Sequence, residues 1–566
     1  MRLPHSKGES IMSNASISLR EGRRRRLFRA GGALSLLVGS AFVSLAAATS
    51  ASAATLTVCH VGCAYTQIAP AIAAASNGDT VNVAAGTYSG GFTIDQNLTL
   101  DGAGAQKTII RGGGPVVTVG SATSTPTVTV SNLTITGGIT STDPESPRCG
   151  PDLVTCGPGY TTATALGGGI ESFPGTTVTI VHSVITGNQA VPSLTVTSVV
   201  ALCAAATYCQ TSEGAGGGID DWGTMTVIAS AVTDNSVRGV QADGGGITVE
   251  SNASFSLQAS TVTGNSATAP SPDGRFANGG GVFVASGGSL AVDNTTIDAN
   301  SASLSNSIPT PYPEQGGSTD QESSSGGGVN LTGTATAAVT NSELDGNSIS
   351  VNTPLGQAYG ADPAFAAGGP LTLQNVRVED NDLTVNVFSS DANGASGPSA
   401  FEADSSATIT GLEVLGNHMT ITTPNSDAAA AGAVGLFAGS VPMTMSNSIV
   451  ADNTSTANAP NGMATVEGAG IVNDSDTVLT NVAVLANRAE ANGQSGFAQG
   501  GGIWNGSIFG GPTPSLSLNE SSVIGNTLSG THGVTLQGAG IYTEGSLTTL
   551  TRSIVAFNEP DQCYGC

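Results

Sequence analysis

The sequence predicts an all-β chain folded as a right-handed parallel β-helix of about 13 coils with a short amino-terminal capping helix. Two recurring features carry this prediction. A Gly-rich tripeptide followed by Ile or Val returns along the chain, and an apolar alternation that ends in Asn follows it. The glycine segments are 167–170, 216–219, 244–247, 279–282, 326–329, 468–471, 500–503 and 538–541. The terminal asparagines are Asn188, Asn235, Asn265, Asn300, Asn347, Asn381, Asn417, Asn453, Asn487, Asn526 and Asn558.

One repeat, residues 279–300, reads as three short strands, GGGVFV, SLAVD and TTIDAN. Alternation of apolar and polar side chains marks each strand as half-buried. Parallel strands normally need helical crossovers, and no amphipathic helix separates these repeats. The strands must therefore stack on their own copies. Only 10% of residues are charged, against about 25% in ordinary domains, which suits strands and tight turns.

The glycines let the chain turn tightly into the first strand. We expect the terminal asparagines to tolerate left-handed geometry and to form a hydrogen-bonded ladder along the stack. A second, partial ladder lies six residues earlier, at Asn294, Asn341, Asn375, Asn447 and Asn481. The segments from each Asn to the next glycines vary most. Examples are 189–215, 301–325 and 348–367, which we interpret as loop insertions at one corner.

The two ends of the stack differ. Residues 65–75 read as one short helix, so 54–79 is predicted as an amino-terminal cap that covers the first coil, with coils over 80–558. The carboxyl-terminal tail, 559–566, shows no comparable cap. That end of the stack would then be covered by a small loop or by a partner, or it would have no visible cover.

Residues 1–53 resemble an export signal. A basic segment containing Arg23–Arg26 precedes the apolar stretch Ala30–Ala48, and Ala51–Ala53 is a small-residue cleavage site. Arg25-Arg26-Leu27-Phe28 is similar to a twin-arginine signal, although a basic Sec signal and a membrane span are alternatives. Met12 is an alternative start. We therefore expect a secreted or cell-surface protein that does not span the membrane once mature.

The charge of the mature chain limits its partners. Eight of the 16 basic residues and two of the 41 acidic residues precede residue 54, which leaves a formal charge of −31. Such a surface repels nucleic acids and anionic membranes. Nucleic-acid partners are excluded, and cations or neutral polymers are favoured.

The eight cysteines form four close couples, and an exported chain with such spacing favours short disulfide-closed loops. The couples are Cys59/Cys63, Cys149/Cys156, Cys203/Cys209 and Cys563/Cys566. Zinc is the alternative at Cys563-x-x-Cys566, but no second couple or histidine lies nearby in the sequence.

The segment NGDTVNVAAGTY after a short helix, followed by GGGI…Asn coils, resembles the parallel β-helix repeat proteins of the pectin-lyase-like superfamily. The repeats are also similar to those of bacterial polymorphic outer-membrane proteins. The resemblance covers about residues 56–558 and implies the fold, but this scaffold hosts lyases, hydrolases and adhesins alike. Lyases of the superfamily need carboxylates that bind calcium and a basic residue, and its hydrolases carry Gly-His-Gly and Arg-x-Lys segments. Neither segment occurs here.

One constellation points to a ligand. Aligning the first strands places acidic and aromatic residues on the outer face, with Glu171 directly above Asp220. The candidate ligand-binding residues are Glu171, Phe173, Asp220, Trp222, Glu250 and Phe283; Trp504 and Tyr542 share this face. Alternation would point Asp221 inward, so we expect the strand to end there. A bound calcium ion or a neutral sugar would relieve the carboxylate repulsion. Alternatively, corner loops cover the aromatics and the strip has no function.

Three functions follow. The first is a secreted or surface scaffold, without catalysis, for binding or adhesion to an extracellular partner, with neutral glycans as the candidate ligand. The second is a calcium-assisted polysaccharide lyase or hydrolase that uses Glu171, Asp220 and Glu250, with Arg238 as base. The third is a structural filament or envelope component, which the repetition and the uncapped end favour.

Overall fold

Parallel strand pairing between consecutive repeats dominates the computed structural model. It describes residues 53–141, 163–192, 212–270, 275–305, 321–353, 357–387, 395–397, 400–507, 513–544 and 548–566. The predicted leader lies outside the described residues, as do Cys149, Cys156, Cys203 and Cys209. The described strands form one sheet of 37 strands and a second of 20. The predicted all-β parallel β-helix is confirmed.

A complete coil contains five strand positions, which we call stacks I to V in chain order; among the described residues, the coils before Ile139 contain strands of stacks I to III alone. Stacks I, II and III belong to the large sheet. Stack I, which follows the glycines, consists of Phe92–Ile94, Val117–Val119, Ile170–Ser172, Ile219–Asp221, Ile247–Val249, Val282–Val284, Val329–Leu331, Phe365–Ala367, Phe401–Ala403, the first residues of Val434–Ala451 and of Ile471–Leu485, Ile503–Asn505, Ile541–Thr543 and Cys563–Tyr564.

Stack II consists of Thr55–Val58, Asp79–Val83, Leu98–Gly102, Thr127–Ser131, Thr177–Val181, Thr224–Ile228, Ser254–Gln258, Ser289–Asp293, Thr336–Thr340, Leu371–Glu379, Ala407–Leu415, Leu516–Asn519 and Thr548–Thr551. Stack III consists of Gly86–Ser89, Thr108–Arg111, Thr134–Thr136, Val184–Thr186, Ala231–Thr233, Thr261–Thr263, Thr296–Asp298, Glu343–Asp345, Ser522–Ile524 and Ile554–Ala556. The long strands from Leu371 to Leu485 continue from stack II into stack III.

Stacks IV and V form the second sheet. Stack IV consists of Ile139–Thr140, Gln189–Ala190, Ser236–Arg238, Ser266–Ala269, Ser301–Ser305, Ser348–Thr353, Asp382–Val387, His418–Thr422, Thr454–Glu467, Arg488–Gln499 and Thr527–Gly530. Stack V consists of Ala163–Leu166, Ser212–Ala215, Gln241–Asp243, Phe276–Asn278, Gln321–Ser325, Gln357–Ala361, Ala395–Gly397, Ala428–Ala431 and Val534–Gln537. The strands Thr454–Glu467 and Arg488–Gln499 serve both stacks. The interpretation of the Asn-to-Gly segments as loop insertions was therefore wrong at their ends, which are paired strands; residues 193–211 and 306–320 of these segments lie outside the described residues.

The asparagine ladder is confirmed along its whole length. From Asn235 onward, the Oδ1 atom of each ladder asparagine accepts hydrogen bonds from the backbone N–H and the Nδ2 of the asparagine one coil earlier, as in the pair Asn300–Asn347 at 3.1 and 3.0 Å. The expected left-handed geometry lies elsewhere. In each of these coils it belongs to the residue before the ladder asparagine, such as Asp234 with φ 54°, and to the second ladder, such as Asn375 with φ 54°. The second ladder also pairs side chains, Asn481 to Asn447 at 2.9 Å.

The amino end carries the α-helix Ile68–Ala74, whose Ile68, Ala71 and Ile72 are buried against the first coils. At the carboxyl end a small loop closes the ladder. The Oε1 atom of Gln562 accepts the N–H and the Nδ2 of Asn558, both at 3.1 Å, so Gln562 takes the place of the next asparagine. Two of the predicted disulfides, Cys59–Cys63 and Cys563–Cys566, are present.

Candidate functional site

The middle residue of each stack I strand points away from the core, and parallel register aligns these residues in one column. The column reads Thr93, Thr118, Glu171, Asp220, Thr248, Phe283, Asn330, Ala366, Glu402, Gly435, Val472, Trp504, Tyr542 and Tyr564. Glu171 pairs with Asp220 in adjacent coils, as the sequence predicts. The alignment from the repeat pattern was therefore correct in register.

The expectation that this column faces solvent was wrong for most of its length. Asp220 is 0% exposed and Thr248 is 1% exposed. The glycine turn that precedes each strand folds back on its middle residue. A Cβ at Gly216 would lie 2.8 Å from the Asp220 Cα, and one at Gly244 would lie 2.1 Å from the Thr248 Oγ1. The turn thereby covers the middle residue of the stack I strand.

Trp504 and Tyr542, also expected on the outer face, are only 3% and 8% exposed. They pack with Val472 in a small cluster near the carboxyl end, against Ala431 and Phe437. Phe173 and Phe283 are half-buried. Trp222 is the predicted aromatic residue that stays open, with 37% of its surface exposed.

Five carboxylates meet where stacks I and V adjoin, and we call them the acidic cluster: Glu171, Glu213, Asp220, Asp243 and Glu250. Repulsion from Glu250 and Glu171 raises the pKa of Asp220. Repulsion from Glu213 and Asp243 raises the pKa of Glu250. Glu213 and Asp243 come from stack V and were not predicted. Their signal was available, because Glu213 lies three residues before the glycine turn at Gly216 and Asp243 lies immediately before the one at Gly244.

Burial is the main cause of the raised pKa values in this cluster. It raises the pKa of Glu250 to about 7 and that of Asp243 to about 6, and it places the pKa of Asp220 well above its usual range. Repulsion from neighbouring carboxylates adds to each shift. Gln241 and Asn278 oppose the shift of Asp243 by donating hydrogen bonds of 2.7 and 2.9 Å to its carboxylate.

Trp222 and Glu250 both influence the carboxyl group of Asp220. The Trp222 Nε1–H donates to Asp220 Oδ2 at 2.8 Å. Repulsion from Glu250 adds to the raised pKa of Asp220. The Oδ1 atom of Asp220 has no hydrogen-bond partner among the described residues.

Asp221 points inward, as the alternation predicts, and its strand ends there. Its Oδ1 accepts hydrogen bonds from the Ser172 hydroxyl at 2.5 Å and from the Gly223 N–H at 3.1 Å. Burial raises its pKa to about 6. Asp221 therefore fixes the turn that carries Trp222.

Arg238, the predicted base, is exposed on stack IV and is not among the groups that shift the pKa of Asp220, Asp243 or Glu250. Across the described ranges, no group of three or more His, Cys, Asp or Glu side chains is arranged so that it could bind a metal ion. Calcium at Glu171 and Asp220 stays a prediction. Among those same residues, no helix has the length and apolar character needed to cross a membrane.

A groove of about 460 Å³ runs along the outer side of stack II. Its floor is a register column of small residues, Ser256, Ala291, Ala338, Thr372 and Thr408. It begins in the coil whose turn carries Glu250. At ~4.8 Å per coil, the four steps of this column span about 19 Å.

No family model and no curated protein matches the chain. Among solved structures it is similar to a mannuronic acid specific family 6 polysaccharide lyase from human gut microbiota, at 9% identity and TM-score 0.25, over 82% of this chain and 86% of that one. It is also similar to the catalytic unit of a GH87 α-1,3-glucanase from Streptomyces thermodiastaticus, at 13% identity and TM-score 0.20, over 83% of this chain and 65%, just under two thirds, of that one. The fold assignment rests on the strand pairing described above.

Proposed function

We propose that this protein is a secreted or cell-surface scaffold that binds neutral glycans without catalysis, and that Trp222 and the less buried members of the acidic cluster, Glu171, Glu213 and Glu250, form the contact surface. The observation that carries the proposal is the hydrogen bond that fixes the indole ring of Trp222. Its N–H is donated to the buried Asp220, so the ring is held in one orientation while 37% of the residue stays exposed. A fixed, exposed aromatic face is what the apolar face of a sugar ring stacks on.

The acidic cluster favours neutral ligands over anionic ones. Among the described residues, the charged groups that shift Asp220, Asp243 and Glu250 are all carboxylates. A uronate placed beside them would add to this repulsion. A carboxyl group that keeps its proton near neutral pH both donates and accepts hydrogen bonds, as does a sugar hydroxyl.

The groove on stack II supports a chain-like ligand. Its hydroxyl-bearing and small side chains leave space along several coils and offer hydrogen bonds without a charge. A polysaccharide lying there would continue from the turns that carry Trp222 and Glu250 in adjacent coils. We therefore expect a polymer to bind better than a monosaccharide.

The test is affinity electrophoresis of the leader-free chain in gels that contain dextran, xylan, laminarin or galactomannan. We expect retardation by at least one of them and its loss in Trp222→Ala. Phe557→Ala is the matched control, because Phe557 is an aromatic residue that is 80% exposed on the last coil. If Trp222→Ala and Phe557→Ala are retarded as strongly as the unchanged protein, the proposal is wrong.

Hydrolysis is the second candidate, and the raised pKa of Glu250 favours it. An acid with a pKa of about 7 suits protonation of a leaving group, and a second carboxylate, such as Glu171, is needed beside it. Release of reducing ends from the polysaccharide that binds, abolished in Glu250→Gln, would establish hydrolysis. Unsaturated products that absorb ultraviolet light and disappear with chelator would instead indicate a calcium-assisted lyase.

A further inference from the structure

Asp362 occupies a position that glycine fills in eight other coils. Three residues before stack I, those coils carry a glycine whose φ lies between 56° and 66°. In the coil of Phe365 the same place is taken by Asp362, with φ 57°. Asp is one of the few residues besides Gly that readily adopt this left-handed conformation.

The carboxyl group of Asp362 is 1% exposed and contacts that of Glu402, which is 8% exposed. Glu402 lies in the next coil, where it pairs in register with Ala366. The Oδ1 atom of Asp362 has no hydrogen-bond partner. Two titratable groups face the pair: Asp404, which is exposed and contacts Glu402, and the half-buried phenol of Tyr359 on stack V. Neither of them supplies a positive charge.

Two buried carboxylates in contact cannot both be ionised without a compensating charge. Burial accordingly raises the pKa of Asp362 and of Glu402, and repulsion from Asp362 and Asp404 adds to the shift of Glu402. A single proton between the two groups would supply the missing donor. It would also join two successive coils through their side chains.

We propose that Asp362 and Glu402 share one proton, and that this proton is a pH-sensitive lock between the coil of residues 357–367 and the coil that follows it. When the proton is lost, the two buried carboxylates of adjacent coils repel each other, and the turn at Asp362 opens as a result. Because the folded form holds a proton that the unfolded form releases, the lock is closed at acidic pH and opens as pH rises.

The test is hydrogen exchange of the leader-free chain between pH 5 and pH 9, read by mass spectrometry on peptides that cover 357–367 and 400–406. After correction for intrinsic exchange, we expect protection there to fall by about tenfold per pH unit between the ordinary pKa of a carboxyl group and the raised pKa of the pair, and to level off at higher pH. In Glu402→Gln the side-chain amide donates permanently to Asp362, so protection should stay nearly constant with pH. Glu413→Gln, which replaces an exposed acid farther along the chain, should behave like the unchanged protein.

Asp362→Asn is the second variant, because asparagine tolerates the left-handed turn and supplies a donor. It too should lose the pH dependence. If protection in the unchanged protein does not vary with pH, or if Glu402→Gln and Asp362→Asn keep the full variation, the proposal is overturned. If added calcium restores protection from hydrogen exchange at alkaline pH in the unchanged protein, the proposal is also overturned, since a cation would then bridge the carboxylates.

Discussion

Removal of one ladder asparagine from the middle of the stack should destabilise the protein far more than removal of an asparagine from its surface. Asn347 is 0% exposed. Its Oδ1 accepts the N–H and the Nδ2 of Asn300, and its Nδ2 donates to the Ile297 carbonyl at 2.9 Å and to Asn381 at 3.1 Å. Asn347→Ala therefore removes four hydrogen bonds.

The magnitude follows from the groups left behind. The buried N–H of Asn300 loses its acceptor, at a cost of about 1–3 kcal/mol, and the other three groups lose about 0.5–1.5 kcal/mol each, less where a partner remains. The Asn300 Nδ2 keeps the Val262 carbonyl. We expect a total loss of about 3–5 kcal/mol in the free energy of unfolding.

Asn386→Ala is the matched control. Asn386 is half-buried on stack IV and donates one hydrogen bond, to Asn352 at 2.9 Å. Its removal should cost about 0.5–1 kcal/mol. Urea unfolding followed by far-ultraviolet circular dichroism measures both variants. A loss below about 1 kcal/mol for Asn347→Ala, or equal losses in the two variants, would refute the account of the ladder as the buried spine of the stack.

Further predictions concern pH and the carboxyl end. Because burial raises the pKa of Glu250 to about 7 and those of Asp221 and Asp243 to about 6, the folded state holds protons that the unfolded state releases, so the urea midpoint should fall from pH 5 to pH 8. Glu250 alone would contribute at most about 3 kcal/mol of this change; Glu250→Gln should reduce the slope, and an unchanged slope would contradict the assigned shift. Gln562→Ala should increase hydrogen exchange at Asn558 and in strand Ile554–Ala556 while leaving the coils before Asn487 unchanged, because stacked repeats depend on their neighbours; equal exchange in both proteins would show that Gln562 does not close the ladder.

The stacking of coils could be predicted from the sequence because glycine turns and buried asparagines recur with little variation. The second sheet could not. Stack IV and V strands, such as Ser301–Ser305 and Gln321–Ser325, alternate small residues with polar ones and lie beside long variable segments. Their pattern resembles loop sequence, although parallel backbone pairing holds them in register.

The site residues were predicted in register but not in exposure. Alternation tells which side of a strand Asp220 occupies, whereas its burial depends on the glycine turn that folds over it. The Asp362–Glu402 pair was missed although the sequence carries a signal, the replacement of the first repeat glycine by Asp in Ala361–Phe365. The alignment of glycine segments passed over that coil because its glycines are absent.

The central functional claim is that a glycan covers Trp222, and the fluorescence of this residue tests it most directly. The chain has two tryptophans, and Trp504 is 3% exposed, so Trp504→Phe leaves Trp222 as the sole reporter. The measurement is acrylamide quenching with and without the polysaccharide that retards the protein. We predict that binding lowers the quenching constant at least about twofold, because a stacked sugar shields the ring. Unchanged quenching at a saturating polysaccharide concentration would contradict the account and place the ligand elsewhere on the β-helix.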